Sequence, residues 1–187
     1  SFQEVDTTGI TMPITKHNYI VKDVNMLASI MREAFEIARS GRPGPVLIDI
    51  PKDISMQEAE YSFQEQDTKV TYENATVEQF LPDIKEMISQ AQRPFIYAGG
   101  GVVISDAAEE LSKLAELLGA PVATSFMGKS GISAKHPNYI GMIGMHGSVK
   151  AAKAVSNCDL LIAIGARFSD RVAGDRNRFA KNAKIIH

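Results

Sequence analysis

The chain has 187 residues, 44% of them hydrophobic, and a net charge of −2 from 20 basic and 22 acidic side chains. That balance leaves no basic stripe for nucleic acid, and no apolar run reaches the roughly 18 residues that a membrane span needs. One cysteine, Cys158, excludes an internal disulfide and fits a reducing cytoplasm.

Residues 23–39, DVNMLASIMREAFEIAR, predict a helix, because Val24, Leu27, Met31, Ala34, Phe35 and Ala38 recur on one face. Asp23 suits its N-cap, Arg39 its last turn and Gly41 its C-terminal cap. GRPGP at 41–45 is too stiff for a helix. Val46–Ile50 reads as a strand closed by Pro51. This pair is expected to be the last helix–strand unit of an α/β domain, and residues 1–52 its remnant, short of the sheet that would bury Phe35, Leu47 and Ile50. Residues 53–75 are polar and without period. They read as an interdomain linker, too long for an ordinary loop inside one domain.

Beyond the linker, in 76–187, helices and strands alternate. A helix over 78–91 carries Leu81, Ile84, Met87 and Ile88 on one face, with Pro82 in its first turn. A strand at 95–98 runs into Gly99, Gly100 and Gly101. A second helix, 106–118, presents Ala107, Leu111, Leu114 and Leu118. Asp106 and Glu109 stand at capping-box spacing, and Gly119 ends the helix. A short strand at 121–124, a helix at 148–156, a strand at 159–164, a helical turn at 175–182 and a strand at 184–187 complete the pattern. Continuous apolar strands alternating with helices imply an α/β fold, a Rossmann-like parallel sheet covered by helices on both faces. The start at Ser1 and the stop in the apolar run 184–187 read as those of a segment of a longer polypeptide.

Three predicted strands end in glycine or small polar residues, Gly99-Gly100-Gly101, Thr124-Ser125 and Gly165-Ala166, and such ends lie on the edge at which α/β sheets bind ligands. Gly99-Gly100-Gly101 lacks the third glycine of the dinucleotide fingerprint, having Ile104 there, and fits a tight turn as well as a ligand site. Gly141-Met142-Ile143-Gly144-Met145-His146-Gly147-Ser148 brackets a thioether and an imidazole with small residues. It could lie against a flat ring, though ordinary turn packing explains it alone. His146 has no His or Cys at ligand spacing, so no metal site is expected. Gly165-Ala166-Arg167-Phe168-Ser169-Asp170-Arg171-Val172 places two guanidiniums after a strand, where they can fork onto phosphate or carboxylate. A surface ion cluster of Arg167, Asp170 and Arg171 is the alternative.

FQEVD at 2–6, ITKHNY at 14–19, GRPGPVLIDIPKD at 41–53, RPFIYAGGGV at 93–102, MIGMHG at 142–147 and GARFSDRVAG at 165–174 together resemble the catalytic large subunit of the acetohydroxyacid synthases, also called acetolactate synthases. The resemblance implies a thiamine-diphosphate enzyme with magnesium and FAD, joining pyruvate to a second 2-oxoacid, pyruvate or 2-oxobutyrate, with loss of carbon dioxide. It implies that 1–52 end the pyrimidine-binding domain and that 76–187 form most of the central FAD-binding domain. By that resemblance Arg42 reaches FAD from the first domain. Gly99, Gly100, Gly101, Ser125, Phe126, Met127, Ile143, Gly144, Met145 and His146 line it, Gly165, Ala166 and Arg167 meet its adenosine-diphosphate half, and Asp170 and Val172 are further cofactor-binding residues. Arg171 holds the second oxoacid's carboxylate, and Phe2, Gln3 and Lys52 lie near the thiamine and the substrate channel. Ser169 replaces an acid common in relatives, so no FAD contact is carried over to it. Partners implied are a homo-oligomer and a regulatory subunit, in the cytoplasm, and the segment alone is expected to be inactive. The competing readings are a stand-alone dinucleotide-binding module and a related thiamine-diphosphate oxidase or decarboxylase.

Overall fold

A computed structural model describes residues 5–63, 75–175 and 177–187. Contacts divide the chain into two units, Ser1–Val70 and Thr71–His187. The division lies inside the stretch 53–75.

The first unit holds helix α1 (Thr7–Thr11), strand β1 (His17–Ile20), helix α2 (Leu27–Arg39), strand β2 (Val46–Asp49) and helix α3 (Lys52–Ser55). β1 and β2 pair in parallel, from His17 opposite Val46 to Ile20 opposite Asp49. α1 and β1 were not legible in the sequence, since HNYI has no alternation and TTGIT no apolar stripe. Asp23 does cap, but it caps a 3₁₀ turn, Val24–Met26, by accepting from the Asn25 N–H at 2.9 Å. The α-helix therefore begins four residues later than predicted. Its C-cap is Ser40, whose N–H donates to Glu36 O at 2.9 Å, and Gly41 follows with φ +51°. The predicted linker is helical at its start: Pro51 stands just before α3, and Ile54 is buried. Phe35 and Ile50 are exposed and Leu47 is half-buried.

The second unit runs α4 (Ala75–Glu78), α5 (Leu81–Gln90), β3 (Pro94–Ala98), α6 (Gly100–Ile104), α7 (Ala108–Leu118), β4 (Val122–Thr124), β5 (Tyr139–Met142), α8 (Val149–Asn157), β6 (Leu160–Ile164), α9 (Asp170–Ala173) and β7 (Lys184–Ile186). Five strands form one parallel sheet in the order β5-β4-β3-β6-β7. Strand period sorts the core. Phe95, Tyr97, Leu161 and Ala163 face α8 residues Ala151 and Val155, while Ile96, Ala98, Leu160 and Ile162 face Met87 and Ile88 of α5 and Leu111 and Ala115 of α7. Helices thus cover both faces.

Several boundaries differ from the sequence reading for physical reasons. The helix at 78–91 splits, because Pro82 has no N–H to continue a helix and is accommodated only in the first turn of α5. The Asp106–Glu109 capping box does not form. Asp106 sits at φ 54°, turning α6 into α7, and Ala107 is the N-cap without a side-chain bond. Gly119 ends α7 in the left-handed conformation, as its position suggested. α8 starts at Val149 because Ser148 is its cap: Ser148 Oγ accepts from the Ala151 N–H at 3.0 Å and donates to Ile140 O at 2.6 Å. At the amino ends of β3 and β6, Asp159 accepts from the Gln92 and Arg93 N–H groups, each at 2.8 Å. Desolvation alone would raise the Asp159 pKa; the Gln92 and Arg93 amides, with its own amide and the Arg93 charge, outweigh it and hold the carboxyl below its ordinary value.

Cys158 is 3% exposed within the α8 face of the core, and burial pushes its thiol from 9.0 up to about 11. The unfolded thiol ionises near 9.0 and the folded one only at about 11, so its contribution is whole below pH 9 and is lost as pH rises to about 11. The loss is on the order of 3 kcal/mol. Urea titrations across that window, compared with Cys158→Ala, are expected to show the steeper alkaline decline in the unsubstituted chain. Disulfide reagents are expected to label the native thiol slowly and the denatured one fast.

Candidate functional site

The sheet order reverses between β3 and β6, and their carboxyl ends run into Gly99–Gly101 and Gly165–Phe168. Those ends cross at backbone contact. Gly99 N–H donates to Ile164 O and Gly101 N–H to Gly165 O, both at 2.9 Å. A Cβ on Gly99 would stand 2.1 Å from Gly165 O, and one on Gly101 2.6 Å from Gly165 Cα; Gly165 has φ +54°. The close approach served by Gly99 and Gly101 is thus to residues 165–166 of this chain. The Gly101 amide at the start of α6 is already engaged.

After β4 a turn folds over this crossing. Ser125 N–H donates to Ala98 O at 2.9 Å, and Ser125 Oγ accepts from the Gly128 N–H at 3.0 Å. The turn puts Phe126 and Met127 outward, 75% and 73% exposed, and a Cβ on Gly100 would lie 3.0 Å from Met127 Cβ. After β5, Ile143 N–H donates to Thr124 O at 3.0 Å, and Met145 N–H to Arg171 O at 2.9 Å. Gly144, at φ +99°, has room for no Cβ, which would meet Arg171 O at 2.6 Å. So 98–101, 125–128, 143–145 and 165–172 form one rim, joined link by link through backbone contacts.

Within that rim the predicted residues divide by exposure. Met145, His146, Arg167, Asp170 and Arg171 are exposed, whereas the side chains of Ile143 and Ala166 are buried and Val172 packs against the core. Among the described residues the ion pairs are Lys113–Glu109 and His136–Glu116, so Asp170 pairs with neither Arg167 nor Arg171. The surface-cluster alternative therefore fails. Two guanidiniums with no carboxylate partner among the described residues, on the same rim as exposed Phe126, Met127 and Met145, suit a ligand with an anionic part and a flat apolar part. Among the described residues no three His, Cys, Asp or Glu side chains gather as metal ligands.

Arg42 and Lys52 belong to the first unit and are exposed there; Arg42 lines an open groove with Ile14, Lys16 and Pro43. Phe2 and Gln3 lie outside the described residues. The sequence reading passed over Gly128, whose Cβ would meet Ala98 O at 2.5 Å, and Phe168, whose ring stands edge-on to those of Tyr97, Phe179 and His187. The aromatic at 168 between two charged motif residues was the available signal.

Residues 81–187 match the family model described as thiamine pyrophosphate enzyme, central domain. The whole chain is 49% identical to a probable acetolactate synthase large subunit of Methanococcus aeolicus and 50% identical to one of Methanocaldococcus jannaschii, covering 32% of each. It is 44% identical to the acetolactate synthase isozyme 2 large subunit of Escherichia coli, covering 34% of it. The chain thus spans about a third of the length of these curated relatives.

Gly99→Ala is expected to cost about 3 kcal/mol or more, since the obstacle is backbone and cannot rotate aside. Gly119→Ala, at a left-handed helix end with open space around it, is expected to cost about 1 kcal/mol. Denaturant midpoints of the two variants check the ranking.

Proposed function

The chain belongs to the thiamine pyrophosphate enzymes, with residues 81–187 matching their central domain, and from that premise we propose that it is part of an acetolactate-forming catalytic large subunit. The reaction joins two pyruvates to acetolactate and carbon dioxide, or pyruvate and 2-oxobutyrate to acetohydroxybutyrate and carbon dioxide. Residues 1–52 are the end of a pyrimidine-binding domain, 53–75 the linker and 76–187 the flavin-binding central domain. The observation that carries the reading is the continuous rim at the sheet's reversal point, where three of the six stretches that carry the resemblance meet the turn at 125–128.

Thiamine diphosphate with magnesium, when bound, supplies the electron sink for the carbon–carbon chemistry. The residues of this chain bind and orient. Arg167 takes the diphosphate of FAD, and Phe126, Met127 and Met145 offer apolar surface to its ring. Gly144 fits against α9 at Arg171 O, which sets where that helix stands. The exposed Arg171 guanidinium then receives the carboxylate of the second oxoacid. FAD changes no oxidation state in this balance and serves as a structural element. For Arg42 and Lys52, both exposed in the first unit, roles toward flavin and substrate rest on the resemblance alone. Large-subunit relatives imply a small regulatory partner, and the catalytic chain itself is a homo-oligomer. Among the described residues no helix is long and apolar enough to cross a membrane. Buried, unpaired Cys158 suits the reducing cytoplasm.

In the full-length enzyme, Arg171→Ala is expected to raise the KM for the second oxoacid about 10- to 100-fold, the scale of one charged hydrogen bond. Flavin content and melting temperature are expected to stay near those of the unsubstituted enzyme. Steady-state rates with pyruvate and 2-oxobutyrate check it. A full-length enzyme that makes no acetolactate from pyruvate overturns the reading.

A further inference from the structure

Within β3 and β6 the only polar side-chain atom is the Tyr97 hydroxyl. The residue is 1% exposed, in the cluster with Phe95 and Leu161. Burying a hydroxyl costs free energy unless it is bonded, and a phenylalanine would fill the same space without that cost. Phe95 does so two residues earlier on the same face. The hydroxyl's partner lies at the rim: Tyr97 O–H donates to Arg167 O at 3.1 Å. The neighbouring carbonyl is held as well, since His187 Nε2 lies 3.0 Å from Ala166 O and, facing a carbonyl, carries its proton. Phe168 closes the arrangement, its ring 6.0 Å from Tyr97 and 5.2 Å from His187. Two successive carbonyls are thus drawn inward by side chains from two different strand ends, while the Arg167 side chain is exposed.

We infer that Tyr97 is a positioning residue for nucleotide binding: its hydroxyl pins the Arg167 carbonyl so that the Arg167 guanidinium is presented to the diphosphate of a flavin nucleotide. This rests on the reading of the rim as a flavin site. Burial raises the Tyr97 pKa, and the smaller opposing effect of the Arg167 charge does not cancel it. The hydroxyl accordingly stays a donor across the working range of pH.

The test uses the full-length enzyme stripped of flavin and titrated with FAD, followed by the quenching of flavin fluorescence. Tyr97→Phe is expected to weaken FAD binding about three- to tenfold, the scale of one hydrogen bond, with little change in melting temperature. In an Arg167→Ala background the same substitution is expected to have no further effect, because the group it positions is gone. Phe95→Leu, on the same face but with no hydroxyl to bond the Arg167 carbonyl, is expected to lower the melting temperature and leave FAD affinity unchanged. Unchanged affinity in Tyr97→Phe, with Arg167→Ala weakened, overturns the inference alone. Effects of Tyr97→Phe and Arg167→Ala that simply add also overturn it, since they mark a merely structural hydroxyl. Unchanged affinity in Arg167→Ala overturns the flavin reading, and this inference falls with it.

Discussion

The contact between the backbones of Gly99–Gly101 and Gly165–Ala166 is the constraint on which the second unit depends. Two parallel strands, β3 and β6, must part at their carboxyl ends so that one chain can enter α6 and the other the arginine-bearing turn. They part only after touching, with Gly99 and Gly101 donating to Ile164 and Gly165. No side chain fits between them. Because the sheet reverses its order at this pair, the crossing also decides where the open edge lies.

From that crossing the rim is assembled by short backbone bonds. The Ser125 turn hangs on Ala98, the Ile143 turn on Thr124, and Met145 on Arg171. The loops are therefore held by strand ends and by one another, which is how a loop-borne site acquires a defined shape. The apolar side chains at 126, 127 and 145 are exposed on these loops. On the same rim as two guanidiniums with no acid pairing them among the described residues, they make chemical sense as a receptor for an anionic, flat ligand.

The opposite edge of the sheet is tied differently. There Asp159 gathers the Gln92 and Arg93 amides, and Lys184 N–H donates to Asp159 O at 2.9 Å. One carboxylate and its own carbonyl thus align the starts of β3, β6 and β7. Register is set at the closed edge by hydrogen bonds and at the open edge by contact, with a core of alternating side chains between.

Fold class was legible in the sequence because strands buried on both faces must be continuously apolar, and Phe95–Ala98 and Leu160–Ile164 are. The longer helices α2, α5 and α7 were legible because each has one apolar face. The arginine-bearing stretch showed itself because charge after a buried strand is rarely accidental. What the one-dimensional string could not disclose was contact between distant segments. The glycines at 99–101 read equally as a ligand cradle or a turn until their partner at 165 was in place. β1, β5 and α9, short and poor in periodicity, exist only because neighbours pair with them or pack on them. Asp106 matched a capping pattern that the turn between α6 and α7 overruled. Tyr97 read as one more core aromatic, and only the folded chain, by bringing residue 167 to its hydroxyl, gave that oxygen a task.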